Sequence, residues 1–129
     1  MRLHHVQVCC PPGGEDAARH FYGDALGLTE VPKPRELAGR GGAWFRAYDG
    51  ERVVAEIHVG VEEPFTAARR AHPALELDSP DALHAVEERL RQAGYEADAE
   101  QRWTFAGFER VHAADPHGNR VELLAPHHD

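Results

Sequence analysis

Between residues 3 and 8 the apolar Val6 and Val8 alternate with Gln7, a period of two that predicts a short strand, and Pro11-Pro12-Gly13-Gly14 ends it. From Glu15 the period lengthens. Ala17, Phe21 and Leu26 make the apolar stripe of a helix, Glu15 and Asp16 sit in its first turn where the helix dipole favours acids, and Gly27 closes it. Leu28 to Val31 predicts a second strand, stopped by Pro32 and Pro34. The Gly-rich, basic run from Lys33 to Gly42 predicts a mobile loop suited to act as a lid. Residues 43–48 and 52–59 flank Asp49-Gly50, whose glycine accepts positive φ, and therefore predict a hairpin, followed by a loop over 60–71.

A second half repeats this order. Residues 72–77 alternate around Leu75 and Leu77 and read as a strand. Ser79 offers an N-cap with Pro80 at the first helical position, and Leu83, Val86 and Leu90 recur at helical spacing until Gly94. Residues 108–114 and 120–124 flank the turn Asp115-Pro116-His117-Gly118-Asn119 as a second hairpin. His5 and His72 are 67 positions apart, Gly27 and Gly94 also 67, Asp49-Gly50 and His117-Gly118 68, and Glu56 and Glu122 66. The near-constant offset predicts one α+β domain over residues 1–129, built of two βαβββ modules at about 3–60 and 72–125. One helix covers only one face of each sheet, so the modules are expected to form an incomplete barrel around a metal-binding cup.

Alternation along the strands shows which side chains share the helix-free face. His5 and Gln7 lie opposite Val6 and Val8; His72, Ala74 and Glu76 opposite Leu75 and Leu77; Glu122 opposite Val121 and Leu123; and Glu56 and His58 share one parity. Two imidazoles and a carboxylate on a rigid sheet hold a divalent ion while leaving positions for water or substrate, which makes His5, His72 and Glu122 the candidate ligands. The fourth ligand is His58 or Glu56. Affinity favours His58; the repeat favours Glu56, since Ala55-Glu56-Ile57 resembles Val121-Glu122-Leu123. A Glu56 that does not ligate would serve as a proton acceptor. Trp44, Arg46 and Tyr48 share one face of the third strand, and Phe108, Arg110 and His112 one face of the seventh. Arg110 is the candidate for an anionic group because a planar guanidinium suits a carboxylate or phosphonate; Trp44 and Arg46 complete the substrate candidates. His4, of opposite parity, is expected in the core or at a dimer surface, and His127 and His128 in a solvated tail.

Composition narrows the partners. There are 14 Lys plus Arg against 22 Asp plus Glu, a formal charge of −8, which disfavours nucleic acid. No apolar run nears the roughly 20 residues that cross a bilayer. Residues 1–8 lack the apolar stretch of a secretory signal, and the adjacent Cys9 and Cys10 suit neither a disulfide framework nor a C-x-x-C pattern, so a cytoplasmic setting is expected.

The opening Leu3-His4-His5-Val6, the segment His20-Phe21-Tyr22-Gly23-Asp24-Ala25-Leu26-Gly27-Leu28 and the finish Asp115-Pro116-His117-Gly118-Asn119-Arg120-Val121-Glu122-Leu123 resemble the vicinal oxygen chelate superfamily over nearly the whole chain, from Leu3 to Pro126. That group includes glyoxalase I, extradiol dioxygenases, fosfomycin-resistance thiol transferases and bleomycin-resistance proteins. The resemblance implies metal ligands on the first, fifth and eighth strands, matching His5, His72 and Glu122, with the fourth-strand ligand at Glu56 or His58. Glyoxalase-like chemistry implies a glutamate that moves a proton, Glu122 or Glu56; dioxygenase chemistry implies iron with a nearby acid or base, for which His112 is the candidate; fosfomycin-type chemistry implies cations, here Arg46, Arg110 and Arg120. The function expected is that of a metal-dependent lyase, isomerase or oxygenase acting on a small oxygen-bearing molecule, with iron, nickel, zinc or manganese not distinguishable. The alternative is a metal-free drug-sequestering protein of the bleomycin-resistance type, in which an aromatic cup and an acidic surface capture a cationic drug. The resemblance also implies a homodimer, with the site formed within one chain or shared across two.

Overall fold

The computed structural model describes residues 1–128. The chain divides into two compact units, the first spanning Met1–Ala67 and the second beginning at Ala68. Both are α+β, as the repeat predicts. The first contains β1 (Val6–Cys10), a short α1 (Glu15–Ala18), β2 (Thr29–Val31), β3 (Ala43–Asp49) and β4 (Arg52–Val61); the second contains β5 (Ala74–Glu76), α2 (Pro80–Gln92), β6 (Ala97–Asp98), β7 (Phe108–Ala114) and β8 (Arg120–Pro126). The sheets order as β1-β4-β3-β2 and β5-β8-β7-β6, so the topology repeats strand for strand. In each, the first strand runs parallel to the last and the other pairs are antiparallel.

In the first unit Val8, Cys10, Phe45, Ile57 and Val59 bury the sheet face that receives Phe21 and Tyr22. The predicted helix stops being α-helical after Ala18 and continues through Arg19–Ala25 as a wider π-type coil, in which the Leu26 amide reaches back five residues to the Phe21 carbonyl at 2.9 Å. The extra residue per turn lets the neighbours Phe21 and Tyr22 both become fully buried. The run predicted as a loop after Lys33 contains a 3₁₀ turn, Arg35–Arg40, and is tethered at its end: Lys33 donates to the Gly41 carbonyl, and the Gly42 amide donates to Glu15 Oε2 at 3.2 Å.

In the second unit Ser79 Oγ accepts the Ala82 amide at 3.1 Å, and Pro80 opens α2, as the cap signal predicts. Gly94, at φ +86°, ends it. The short β6 takes the sixth-strand place that the repeat requires. Asp115 explains the turn motif before β8: its Oδ1 accepts the amides of His117 at 2.8 Å and Asn119 at 2.9 Å, and its Oδ2 the Asn119 side-chain amide at 2.8 Å. Among the described residues no helix is long and apolar enough to cross a membrane.

Candidate functional site

On the helix-free face of the first unit, sheet register sets the neighbours. Gln7 and Trp44 both pair with His58, and Arg46 pairs with Glu56. Glu56 is buried, and both its oxygens are engaged, Oε1 by Arg46 Nε at 2.6 Å and Oε2 by His58 Nε2 at 2.6 Å. Burial alone would raise the Glu56 carboxyl pKa, but the bonds from His58 and Arg46 outweigh it, and the group is held below the usual carboxylate range. The His58 ring is sandwiched, with the Trp44 ring stacked on it at 3.7 Å between centroids and 2° between planes, and His5 at 4.0 Å and 17°. Burial lowers the His58 pKa against the opposing pull of Glu56.

His4 departs from the core place that is one of its two expected settings. Strand pairing begins only at Val6, so the residues before it do not obey the alternation, and His4 is exposed rather than in the core. Its Nδ1 lies 3.0 Å from Nδ1 of His5, and both imidazoles fall with a Glu56 oxygen in one group of potential ligand atoms within 4.8 Å of one another.

The second unit gathers a parallel set. Glu122 is buried on β8, and its Oε1 receives His72 Nε2 at 3.2 Å, His112 Nε2 at 3.2 Å and Arg110 Nη1 at 3.3 Å. His112 stands directly opposite Glu122 in the β7–β8 register, while His72 comes from the segment just before β5. Burial would raise the Glu122 pKa, yet the bond from His72 and the charge of Arg110 bring it below its ordinary value. Burial also lowers the pKa of His112, with Arg120 adding to the effect. His72, His112 and Glu122 form the second group of potential ligand atoms within 4.8 Å.

The chemistry of these donors fits a divalent ion. His72 Nδ1 is 2.7 Å from the Arg70 carbonyl, which only accepts, so the ring proton sits on Nδ1. His72 Nε2 lies 3.2 Å from Glu122 Oε1, a contact that a proton on Nε2 or a cation bridging the two atoms would satisfy. At metal–nitrogen distances near 2.0–2.1 Å, neighbouring donors of an octahedral ion lie about 3 Å apart, and those of a tetrahedral ion slightly more. The His4–His5 and His72–Glu122 separations match those edges. A backbone carbonyl fixing the far side of a ligating imidazole is the usual support for such a ring.

Several other expectations resolve here. Arg46 and Arg110 each reach a buried glutamate, and Trp44 covers His58 rather than standing apart. The register slips between Ala47 and Tyr48, which leaves Tyr48, Val53 and Val54 exposed. His127 is not merely part of a solvated tail, since its amide donates to the Gly107 carbonyl at 2.8 Å and its ring meets Trp103 edge-on at 4.9 Å. The sequence reading expects His4 in the core or at a dimer surface and His112 as a nearby acid or base; the structure brings His4 beside His5 and His112 beside Glu122.

Residues 2–123 match the family described as Glyoxalase/Bleomycin resistance protein/Dioxygenase superfamily. The chain belongs to that superfamily. Among solved structures, this superfamily member is similar to a protein assigned to the glyoxalase family from Bacillus anthracis, with 38% identity, 98% of this chain and 96% of that chain covered, and a TM-score of 0.83. The fold is shared with lactoylglutathione lyase from Agrobacterium tumefaciens (18% identity, 96% and 98% covered, TM-score 0.70) and with the fosfomycin resistance protein FosX from Listeria monocytogenes (14%, 98% and 94%, 0.72). No curated protein matches the sequence.

Proposed function

We propose that this superfamily member is a divalent-metal-dependent enzyme acting on a small oxygen-bearing substrate by lyase, isomerase or oxygenase chemistry. The observation that carries the reading is His72: its Nδ1 is 2.7 Å from the Arg70 carbonyl and its Nε2 lies 3.2 Å from Oε1 of the buried Glu122. That arrangement supports cation binding. The ligands proposed are His5, His72 and Glu122. Glu56, rather than His58, is the fourth, because the His58 ring is covered on both faces and its Nε2 is committed to Glu56.

Such an ion, when bound, polarises neighbouring substrate oxygens and stabilises negative charge that develops on them. The protein's own groups have distinct tasks. Glu56 and Glu122 are both held ionised, which suits them to accept a proton or a donor hydrogen bond from substrate. Arg46 and Arg110 keep part of their guanidinium surface exposed and offer charge to an anionic group, and the indole of Trp44 offers an apolar face. A homodimer in the cytoplasm belongs to the same proposal.

The test is metal analysis of protein purified without chelator, then anaerobic reconstitution with nickel, iron, manganese or zinc. The reconstituted protein is assayed on methylglyoxal hemithioacetal, catechols and fosfomycin with thiol. Metal uptake with metal-dependent turnover is expected. Absence of uptake with all four metals overturns the reading in favour of a sequestering protein.

A further inference from the structure

We propose that the loop between β6 and β7 builds a carboxylate subsite on Arg110, with Phe105 as its apolar wall and Thr104 as the positioning residue. This rests on the metal-dependent reading above and deepens it by naming the substrate class, a carboxylate carried on a flat apolar frame. The loop is fastened to β7 along the backbone and on both faces of the strand. The Arg110 amide donates to the Arg102 carbonyl at 3.1 Å. On the helix side Arg102 Nη1 reaches Glu109 at 2.7 Å. On the opposite face the Arg110 guanidinium holds the loop, Nε donating to the Gln101 carbonyl at 3.2 Å and Nη2 to Thr104 Oγ1 at 2.7 Å. The Thr104 hydroxyl donates in turn to that same carbonyl at 3.0 Å, so one oxygen locks both the turn of the loop and the plane of the guanidinium.

These bonds leave a defined remainder. A guanidinium carries five N–H donors in one rigid plane. Gln101, Thr104 and Glu122, the last 3.3 Å from Nη1, take one each, so among the described residues one N–H stays open on each terminal nitrogen. Two such donors match the two oxygens of a carboxylate, the bidentate arrangement that gives arginine its selectivity for planar anions. The Arg110 side chain keeps 20% of its surface exposed, which leaves the fork reachable. Phe105 supplies the neighbouring wall. Its ring centroid lies 5.6 Å from Arg110 Cζ, and the residue stays 44% exposed although Phe108 braces it at 4.8 Å. An open ring beside a cation receives the flat body of an acid whose charge the cation holds. A phosphonate dianion calls for a second cation, and none besides Arg110 contacts Thr104 or Phe105 among the described residues. The charge of Glu122 opposes a second anion at this place, so a cation engaged by Glu122 should tighten binding of the acid.

The experiment is titration of the full-length protein with benzoate, with and without Zn²⁺, using benzamide as the uncharged counterpart and inorganic phosphate as the rival anion. Binding is read by calorimetry and by the ¹H–¹⁵N resonance of the Arg110 side-chain Nε–H. The native chain is compared with Thr104→Val, Thr104→Ser and Phe105→Leu, each checked as folded by far-UV circular dichroism. Saturable benzoate binding that moves the Arg110 resonance is expected, tighter with Zn²⁺, and benzamide should not bind. Thr104→Val should weaken benzoate about tenfold, the effect of losing one hydrogen bond to a charged group, while Thr104→Ser stays within about twofold of native. Phe105→Leu should weaken it about fivefold through the lost ring face. Benzamide binding as tightly as benzoate, phosphate binding more tightly, or unchanged affinity in folded Thr104→Val overturns the proposal. Absence of benzoate binding in protein that takes up metal and turns over substrate removes the subsite and leaves the enzymatic reading standing. Benzoate binding without any metal uptake removes the metal-dependent reading and keeps the subsite.

Discussion

Arg102 grips Glu87 with a single nitrogen, Nη2 lying 2.8 Å and 2.6 Å from the two carboxylate oxygens, while Nη1 turns to Glu109 at 2.7 Å. Both glutamates are buried on the helix side of the second sheet, and Arg91 and His84 add one bond each. Removing the central cation leaves two desolvated anions short of partners. Arg102→Met should therefore cost about 3–5 kcal/mol, the usual penalty for breaking a buried pair from one side. Urea unfolding of the variant checks this, and a loss under about 1 kcal/mol would contradict it.

The same cluster sets an acid-side dependence. Burial raises the pKa of Glu87 and of Glu109, but the Arg102, Arg91 and His84 bonds prevail and place both below the ordinary 4.5. A carboxylate lowered by folding stabilises the native state fully above its unfolded pKa, and that contribution is lost as pH falls through the folded value. The native chain should thus lose stability below about pH 4.5. In Arg102→Met the lowering is removed, so the gap between native and variant chains should be widest at neutral pH and narrow toward pH 3. A gap that stays constant over that range would refute the linkage.

His58 links three groups of the first unit: Glu56 through Nε2, and His5 and Trp44 through its two faces. His58→Ala should destabilise the protein by about 1–3 kcal/mol, the cost of leaving a buried acceptor short of a donor. It should also loosen Glu56. His58→Gln, which keeps a donor, should recover part of the stability without the ring stack. Equal unfolding midpoints for the alanine variant and the native chain would show that the contact contributes nothing.

Gly42 has φ +86°, and a Cβ there would lie 2.1 Å from the Val59 carbonyl oxygen, while Gly13, at φ +81°, has open space. Gly13→Ala meets only the left-handed strain, roughly 1–2 kcal/mol. Gly42→Ala adds a backbone collision and should cost about 1–3 kcal/mol more. Thermal unfolding of the two variants side by side measures the difference, and equal losses would count against the close approach.

The repeat, both hairpins and the cap of α2 were legible because each depends on local chemistry: Asp49-Gly50, Asp115 to Asn119, Ser79-Pro80. What local pattern could not deliver was anything set by where a strand starts or slips. His4 escaped parity because pairing begins two residues later, and Tyr48, Val53 and Val54 are exposed where the register slips between Ala47 and Tyr48. The choice between Glu56 and His58 was undecidable from parity because the two touch each other and share one face. The Glu87–Arg102–Glu109 cluster had a signal that was not read. Glu87 stands four residues after Leu83 and three before Leu90 on the buried stripe of α2, and Glu109 alternates with Val111 and Ala113 on β7. An acid at a core-facing position is a request for a cation, and Arg102 answers it from outside either element.

The stack of Trp44 on His58 also makes the protein its own optical gauge. The sequence has two tryptophans, one in each unit: Trp44 pressed flat on an imidazole, and Trp103 largely exposed beside His127. Replacing either with phenylalanine leaves a single emitter whose intensity and wavelength follow only one half of the chain, so the halves can be watched separately as they melt or take up ligand.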